Sequence, residues 1–153
     1  MIKDRITLGT VIGVIAAIPQ LIFNFILVRV NFTDFYDFQI SGSIYLYKNL
    51  TYTFWGLVFG GFLWELMAAT LGILTVYLIL WTGKEYWWLK SILVSNAAMF
   101  LLVYGLFYTL AYPKIVPWDL NTNWSIFIGN LIFGLTAGFL TNCWAENKER
   151  YQH

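Results

Sequence analysis

The sequence contains little charge, one cysteine and one histidine, and each shortage excludes a class of protein. Only 11% of the 153 residues are charged, against about 25% in an average soluble domain, which argues against a water-soluble fold. The single cysteine, Cys143, excludes an internal disulfide and a CxxC redox pair. The single histidine, His153, excludes a haem or zinc site built from several histidines in the membrane. A formal net charge of +1 provides no basic surface for nucleic acid.

The residues that are abundant are apolar and aromatic. Hydrophobic residues make up 59% of the chain, and 20% of the chain is Phe, Trp or Tyr. This composition indicates a chain whose solvent is largely lipid, with aromatic rings near the headgroups. We therefore expect residues 1–153 to form one all-α integral membrane domain.

Four apolar segments are long enough to cross a membrane, which takes about 20 residues per helix. They are residues 6–28, 54–80, 89–111 and 124–144. The segments predict a four-helix bundle in which the second and third spans are antiparallel neighbours, because a short turn joins them. The aromatic-rich residues 32–50 are expected to lie in the outer membrane interface, whether helical or not. The Pro- and Asn-rich sequence before the fourth span favours turns.

Lysine and arginine predict the orientation, because they are retained on the cytoplasmic side of a membrane. In the four-span arrangement, the basic residues divide six against three. The larger group is Lys3, Arg5, Lys84, Lys90, Lys148 and Arg150, and the smaller is Arg29, Lys48 and Lys114. Both termini are therefore expected in the cytoplasm, and the protein in the cell (inner) membrane.

Each predicted span carries a stripe of small and polar residues at three- and four-residue spacing, which is typical of helix contacts in lipid. The glycines expected to pack against neighbouring helices are Gly61, Gly72, Gly134 and Gly138. The polar members of the stripes predict a mildly polar interior, and they include Gln20, Asn24, Asn96 and Asn130.

Glu65 is the one acid within the predicted spans, and it lies near the predicted bilayer centre. An ionised carboxylate costs several kcal/mol at that depth. Every Lys and Arg belongs to a loop, a tail or a membrane edge, so none can pair with Glu65 there. Two interpretations stay open: a neutral carboxyl hydrogen-bonded to Gln20 or Asn96, or a cavity-lining group that binds a proton or a cationic solute. Asp34 and Asp37, in the outer segment, are expected to form a solvated acidic edge.

The spans lack the residue sets of membrane enzymes. They contain no pair of acids, no HExxH motif and no glycine-rich phosphate loop. The sequence therefore predicts no catalytic residue, no metal ligand and no cofactor.

Four stretches, taken in order, resemble a group of four-span membrane proteins of spore-forming Gram-positive bacteria. They are VNFTDF after the first span, KEYWWLKS in the inner turn, YPKIVPWDLNTN before the last span and LIFGLTAGFLTNCWAE within it. The resemblance covers nearly the whole chain and implies the four-span topology and a bacterial inner membrane. That group brings no known activity, so the resemblance implies no mechanism.

Together these features favour a non-enzymatic membrane component that contacts lipid and packs, through its glycine stripes, against another copy of itself or another membrane protein. The alternative is a proton- or cation-linked transporter or channel. In that case Glu65 would be the site, and the polar lining would be Gln20, Asn24, Asn96 and Asn130. A lipid-handling enzyme is the third possibility.

Overall fold

The computed structural model describes residues 4–98, 100–101, 115 and 119–145. Within those ranges the chain forms five α-helices and one 3₁₀ turn, and no strand. The helices are α1 (Arg5–Arg29), α2 (Asp37–Gly42), α3 (Phe54–Thr82), α4 (Trp87–Ala98) and α5 (Leu120–Trp144), and the 3₁₀ turn is Leu50–Tyr52. The expected all-α class is confirmed for the described residues.

Three of the described helices, α1, α3 and α5, are long and apolar enough to cross a membrane. The predicted first and last spans lie inside α1 and α5, and the predicted second span lies inside α3. Helix α3 is continuous over 29 residues, or about 43 Å at the usual rise per residue. The predicted span 89–111 begins within α4, and its second half lies outside the described residues.

Helix α1 is closed at both ends by local hydrogen bonds. The Asp4 carboxylate accepts the backbone N–H of Thr7 at 2.7 Å, which satisfies a free donor of the first turn. At the other end Asn31 adopts a left-handed conformation with φ of 57°, and the N–H of Phe32 donates to the carbonyl of Leu27 at 2.9 Å. This pattern ends a helix and turns the chain back, so Asn31 has a structural role as a turn residue.

The sequence predicts that the last span begins at residue 124, but helix α5 begins at Leu120. The Asp119 side chain accepts the N–H of Thr122 at 2.7 Å and caps the helix. Residues 120–123, which the Asn-rich pattern had predicted as a turn, are therefore helical. A capping aspartate outweighs the turn preference of the asparagines that follow it.

Helix α1 packs against both α3 and α5, while α4 packs mainly against α5 and the short helix α2 against α3. The main core lies where α1, α3 and α5 meet and includes the buried side chains of Ile12, Ala16, Val76, Phe133 and Ala137. The α2–α3 contact is close because both partners are glycines: a Cβ on Gly42 would lie 3.3 Å from the Cα of Gly60. The returning segment is therefore packed onto the bundle.

Three of the four glycines expected at helix contacts lie against a neighbouring helix. A Cβ on Gly72 would lie 2.6 Å from the Cα of Gly13 in α1. A Cβ on Gly134 would lie 2.6 Å from the Ser95 Oγ in α4, and one on Gly138 would lie 2.8 Å from the Cβ of Ser91, also in α4.

The fourth glycine, Gly61, has no close helix contact within the described residues, where no atom lies within 4 Å of its Cβ position. The contact of α3 with the 30–53 segment is made instead by Gly60, where a Cβ would lie 3.3 Å from the Gly42 backbone nitrogen. Packing of Gly61 against a helix therefore stays a prediction.

Candidate functional site

Gln20 and Asn130 form a direct polar link between α1 and α5. Gln20 is 2% exposed and Asn130 is 3% exposed. Gln20 Nε2 donates to Asn130 Oδ1 at 3.3 Å. The backbone carbonyl of Asn130 also accepts a hydrogen bond from Ser95 Oγ of α4 at 3.0 Å. Two of the polar residues predicted for the interior therefore meet there and connect three helices.

Asn24 holds the segment that follows α1. Its Nδ2 donates to the carbonyl of Phe35 at 3.4 Å, and its Oδ1 accepts the backbone N–H of Asp37 at 3.1 Å. Both ends of the buried amide are therefore used. Asn24 belongs to the interior, as the sequence indicates, and it positions the beginning of α2.

Asn96 does not join this group. It is half-buried, and its Nδ2 donates to the Ile92 carbonyl one turn earlier in the same helix, at 3.1 Å. A side chain that bonds its own helix contributes nothing to a polar path between helices.

Glu65 also stands apart from Gln20 and Asn130. It is half-buried, and its Oε2 is shielded from solvent without a hydrogen-bond partner in the described chain. The expected hydrogen bond to Gln20 or Asn96 is not among the contacts of these side chains: Gln20 Nε2 donates to Asn130, and Asn96 Nδ2 donates to Ile92. Within the described residues, Glu65 Oε2 is therefore left without a polar partner.

Asp37 corrects the expectation of a solvated acidic edge. Asp34 is exposed, but Asp37 is only 3% exposed, at the first residue of α2. Removal from water raises the pKa of Asp37 to about 7, since burial disfavours the charged form. One signal in the sequence points to this burial: Asn24 lies on the buried stripe of α1, and its amide requires a partner from the segment that follows.

Several buried hydroxyls lie at the end of the bundle where α5 begins, and the sequence did not predict their burial. Thr33 and Thr122 are hydrogen-bonded to each other at 2.7 Å, which joins the 30–53 segment to the start of α5. Ser125 is buried one turn further along, and its Oγ has no partner in the described chain. Hydroxyls are too common in loops and helices to be recognised as buried without a structure.

A small cavity lies where α1, α3 and α5 meet. Its polar lining comes from Gln20, Trp64 and Asn130, and the rest from the apolar side chains of Met67, Ala68, Leu71 and Phe133. The space suffices for about one water molecule. The buried Trp64 Nε1 has no hydrogen-bond partner in the described chain.

The described residues contain no group of three His, Cys, Asp or Glu side chains positioned to hold a metal ion. In comparisons with known proteins, no family model, curated protein or solved structure matches the chain.

Proposed function

We propose that this is a non-enzymatic four-span protein of the cell membrane that acts as an assembly or accessory component, binding another membrane helix through α3. The bulk of its surface contacts lipid. Both termini are cytoplasmic in this arrangement, in keeping with the six-to-three division of basic residues.

Two contacts at opposite ends of the bundle support the fourth span. Thr33 bonds Thr122 at one end, whereas the Lys84 ammonium donates to the carbonyls of Asn142 and Ala145 at the other. The chain passes from the second end, at Lys84, back to the first end, at Asp119. A return of this kind supports a further crossing, and α4 is the described helix that would begin it.

The observation that carries the assembly role is the unpartnered carboxyl of Glu65 beside the open position at Gly61. The interior amides of Gln20, Asn24 and Asn130 all bond within the chain. Glu65 Oε2 has no partner among the described residues, and Gly61, one turn away, has no described atom near its Cβ position. A carboxyl without a partner is costly in lipid, and small residues permit close helix approach. A second membrane helix, from another copy or another protein, would provide a hydrogen-bond partner for Glu65 and would pack closely against Gly61.

The test compares variants of Glu65 and Gly61 in particles extracted with native lipid. Glu65→Leu removes the hydrogen-bonding group, and Gly61→Leu fills the open position. Each is expected to weaken assembly about three- to tenfold, the range of one interhelical hydrogen bond or contact in lipid. Native mass spectrometry of the particles measures the assembled fraction.

Two matched variants serve as controls. Glu65→Gln keeps a neutral hydrogen-bonding group of nearly the same shape and should assemble as the wild type does. Leu74→Phe enlarges an exposed side chain on the opposite face of the same helix and should have no effect. A wild-type protein that is monomeric and carries no companion protein would contradict the proposal.

The alternative, a proton- or cation-linked transporter, draws its support from the same carboxyl. It predicts the opposite result for Glu65→Gln, because an amide cannot carry a proton or balance a cation. Loss of proton-coupled flux in proteoliposomes, with assembly unchanged in this variant, would favour transport over assembly.

A further inference from the structure

The cavity between α1, α3 and α5 contains an unusual donor for the middle of a membrane bundle. The indole Nε1–H of Trp64 is buried at its wall and bonds no group of the described chain. An indole N–H donates only, so it needs an acceptor, and lipid offers none at this depth.

Acceptors border the same cavity. The bond between Gln20 and Asn130 uses Gln20 Nε2 and one lone pair of Asn130 Oδ1. Gln20 Oε1 and Asn130 Nδ2 bond no described residue. The cavity therefore presents two donors and two acceptors, from Trp64, Gln20 and Asn130.

The size of the cavity selects the ligand. It holds about one water molecule, and buried water typically makes about three hydrogen bonds to polar groups that lack partners. A purely apolar cavity of this size stays dry. The wall here is mainly apolar, but the amides of Gln20 and Asn130 and the indole of Trp64 also border it. A larger solute does not fit without displacing Met67, Ala68 or Phe133.

We propose that the cavity is a specific binding site for a single water molecule, which accepts from the Trp64 indole and donates to the Gln20 and Asn130 amide oxygens. The inference does not depend on the proposed assembly role. In the described chain no side-chain hydrogen bond joins α3 to α1 or α5, whereas α1 and α5 are bonded directly. The water is thus the polar connection of α3 to these two helices.

The test is NMR of the full-length protein labelled with ¹⁵N-tryptophan in lipid nanodiscs. The Trp64 indole resonance is assigned by its loss in Trp64→Phe. In the wild type it is expected to show a dipolar cross-peak to water, with a sign that indicates a long-lived bound molecule. Lipid-exposed Trp81, which is 86% exposed, serves as the reference for transient contact.

Two variants test the assigned partners. Gln20→Leu removes an acceptor and should reduce the cross-peak at least fivefold and shift the indole proton upfield, about as expected on loss of a hydrogen bond. Met67→Leu changes an apolar wall residue and should keep the cross-peak. Absence of the cross-peak in the wild type, or its survival at full intensity in Gln20→Leu, overturns the proposal.

Discussion

Among the single residues that the structure describes, Asp37 is unusual because it is a buried acid. Its carboxyl is buried at the first residue of α2, next to a backbone N–H that Asn24 holds. The basic residues on either side in sequence, Arg29 and Lys48, are exposed, and Arg29 lies over the ring of Phe25 at 5.0 Å. No basic side chain of the described residues pairs with Asp37, so burial dominates its protonation.

The first prediction concerns the pH dependence of stability. The pKa of Asp37 is raised from 3.8 to about 7, so between these values the folded protein retains a proton that the unfolded chain releases. The stabilising contribution of the neutral acid is full below the lower value and is lost as pH rises through the upper one. The wild-type melting temperature should therefore fall as pH rises from about 4 to about 7 and level off above that.

Asp37→Asn should remove that slope and stabilise the protein above neutral pH, by at most about 4 kcal/mol, since one pKa unit corresponds to about 1.4 kcal/mol. Thermal unfolding in nanodiscs across this pH range measures both effects. Asp34→Asn, at an exposed position three residues earlier, should keep the wild-type slope. A slope that persists in Asp37→Asn would assign the pH dependence to another group.

Among the helices, glycine positions show which contacts are backbone to backbone. Gly72 faces Gly13 so closely that a methyl group would collide with main-chain atoms, which cannot rotate away. Gly61 lies on the same helix, and no described atom lies within 4 Å of its Cβ position. The two glycines therefore form a matched pair within α3.

The second prediction uses this pair. Gly72→Ala should destabilise the protein by about 1–3 kcal/mol, because overpacking at a rigid contact forces the helices apart. Gly61→Ala should be neutral or stabilise by up to about 1 kcal/mol, since alanine favours the helix and meets no neighbour. Thermal unfolding of the detergent-solubilised monomer measures both. Equal losses would show that the α1–α3 contact is not specific to Gly72.

The sequence predicted the helices better than the polar contacts, for physical reasons. Apolar length determines where a helix can cross lipid, so α1, α3 and α5 were located within a few residues. The start of α5 was misplaced because one capping aspartate decides it. The burial of Asp37 was missed because it depends on the return of a loop onto α3, and hydropathy contains no information about that.

Across the whole molecule, two lysines beside the turn after α3 donate hydrogen bonds to carbonyls at the C-terminal ends of helices. Lys84 donates to the carbonyls of Asn142 and Ala145, at the end of α5, and Lys90 to those of Thr82 and Gly83, at the end of α3. Cations at helix C-termini balance the free carbonyls and the helix dipole. Both lysines are therefore engaged with the protein at the end of the bundle that we propose is cytoplasmic.

The third prediction tests the proposed topology through cysteine labelling. Asn49→Cys, in a background with Cys143→Ser, should react with a membrane-impermeant maleimide in intact cells. Glu85→Cys in the same background, and the exposed native Cys143 in the wild type, should react only after permeabilisation. Labelling of all three sites from one side would contradict the four-span arrangement.

The bond between Gln20 and Asn130 joins residues 110 positions apart, and this separation constrains biogenesis. When α1 leaves the ribosome, its glutamine has no partner, because Asn130 is synthesised 110 residues later. The amide of Asn24 obtains its partners much sooner, since Phe35 and Asp37 follow 11 and 13 residues later. The face of α1 that carries Gln20 is therefore polar and unpartnered until α5 has been synthesised, and we expect a translocon or insertase to shield it during that interval.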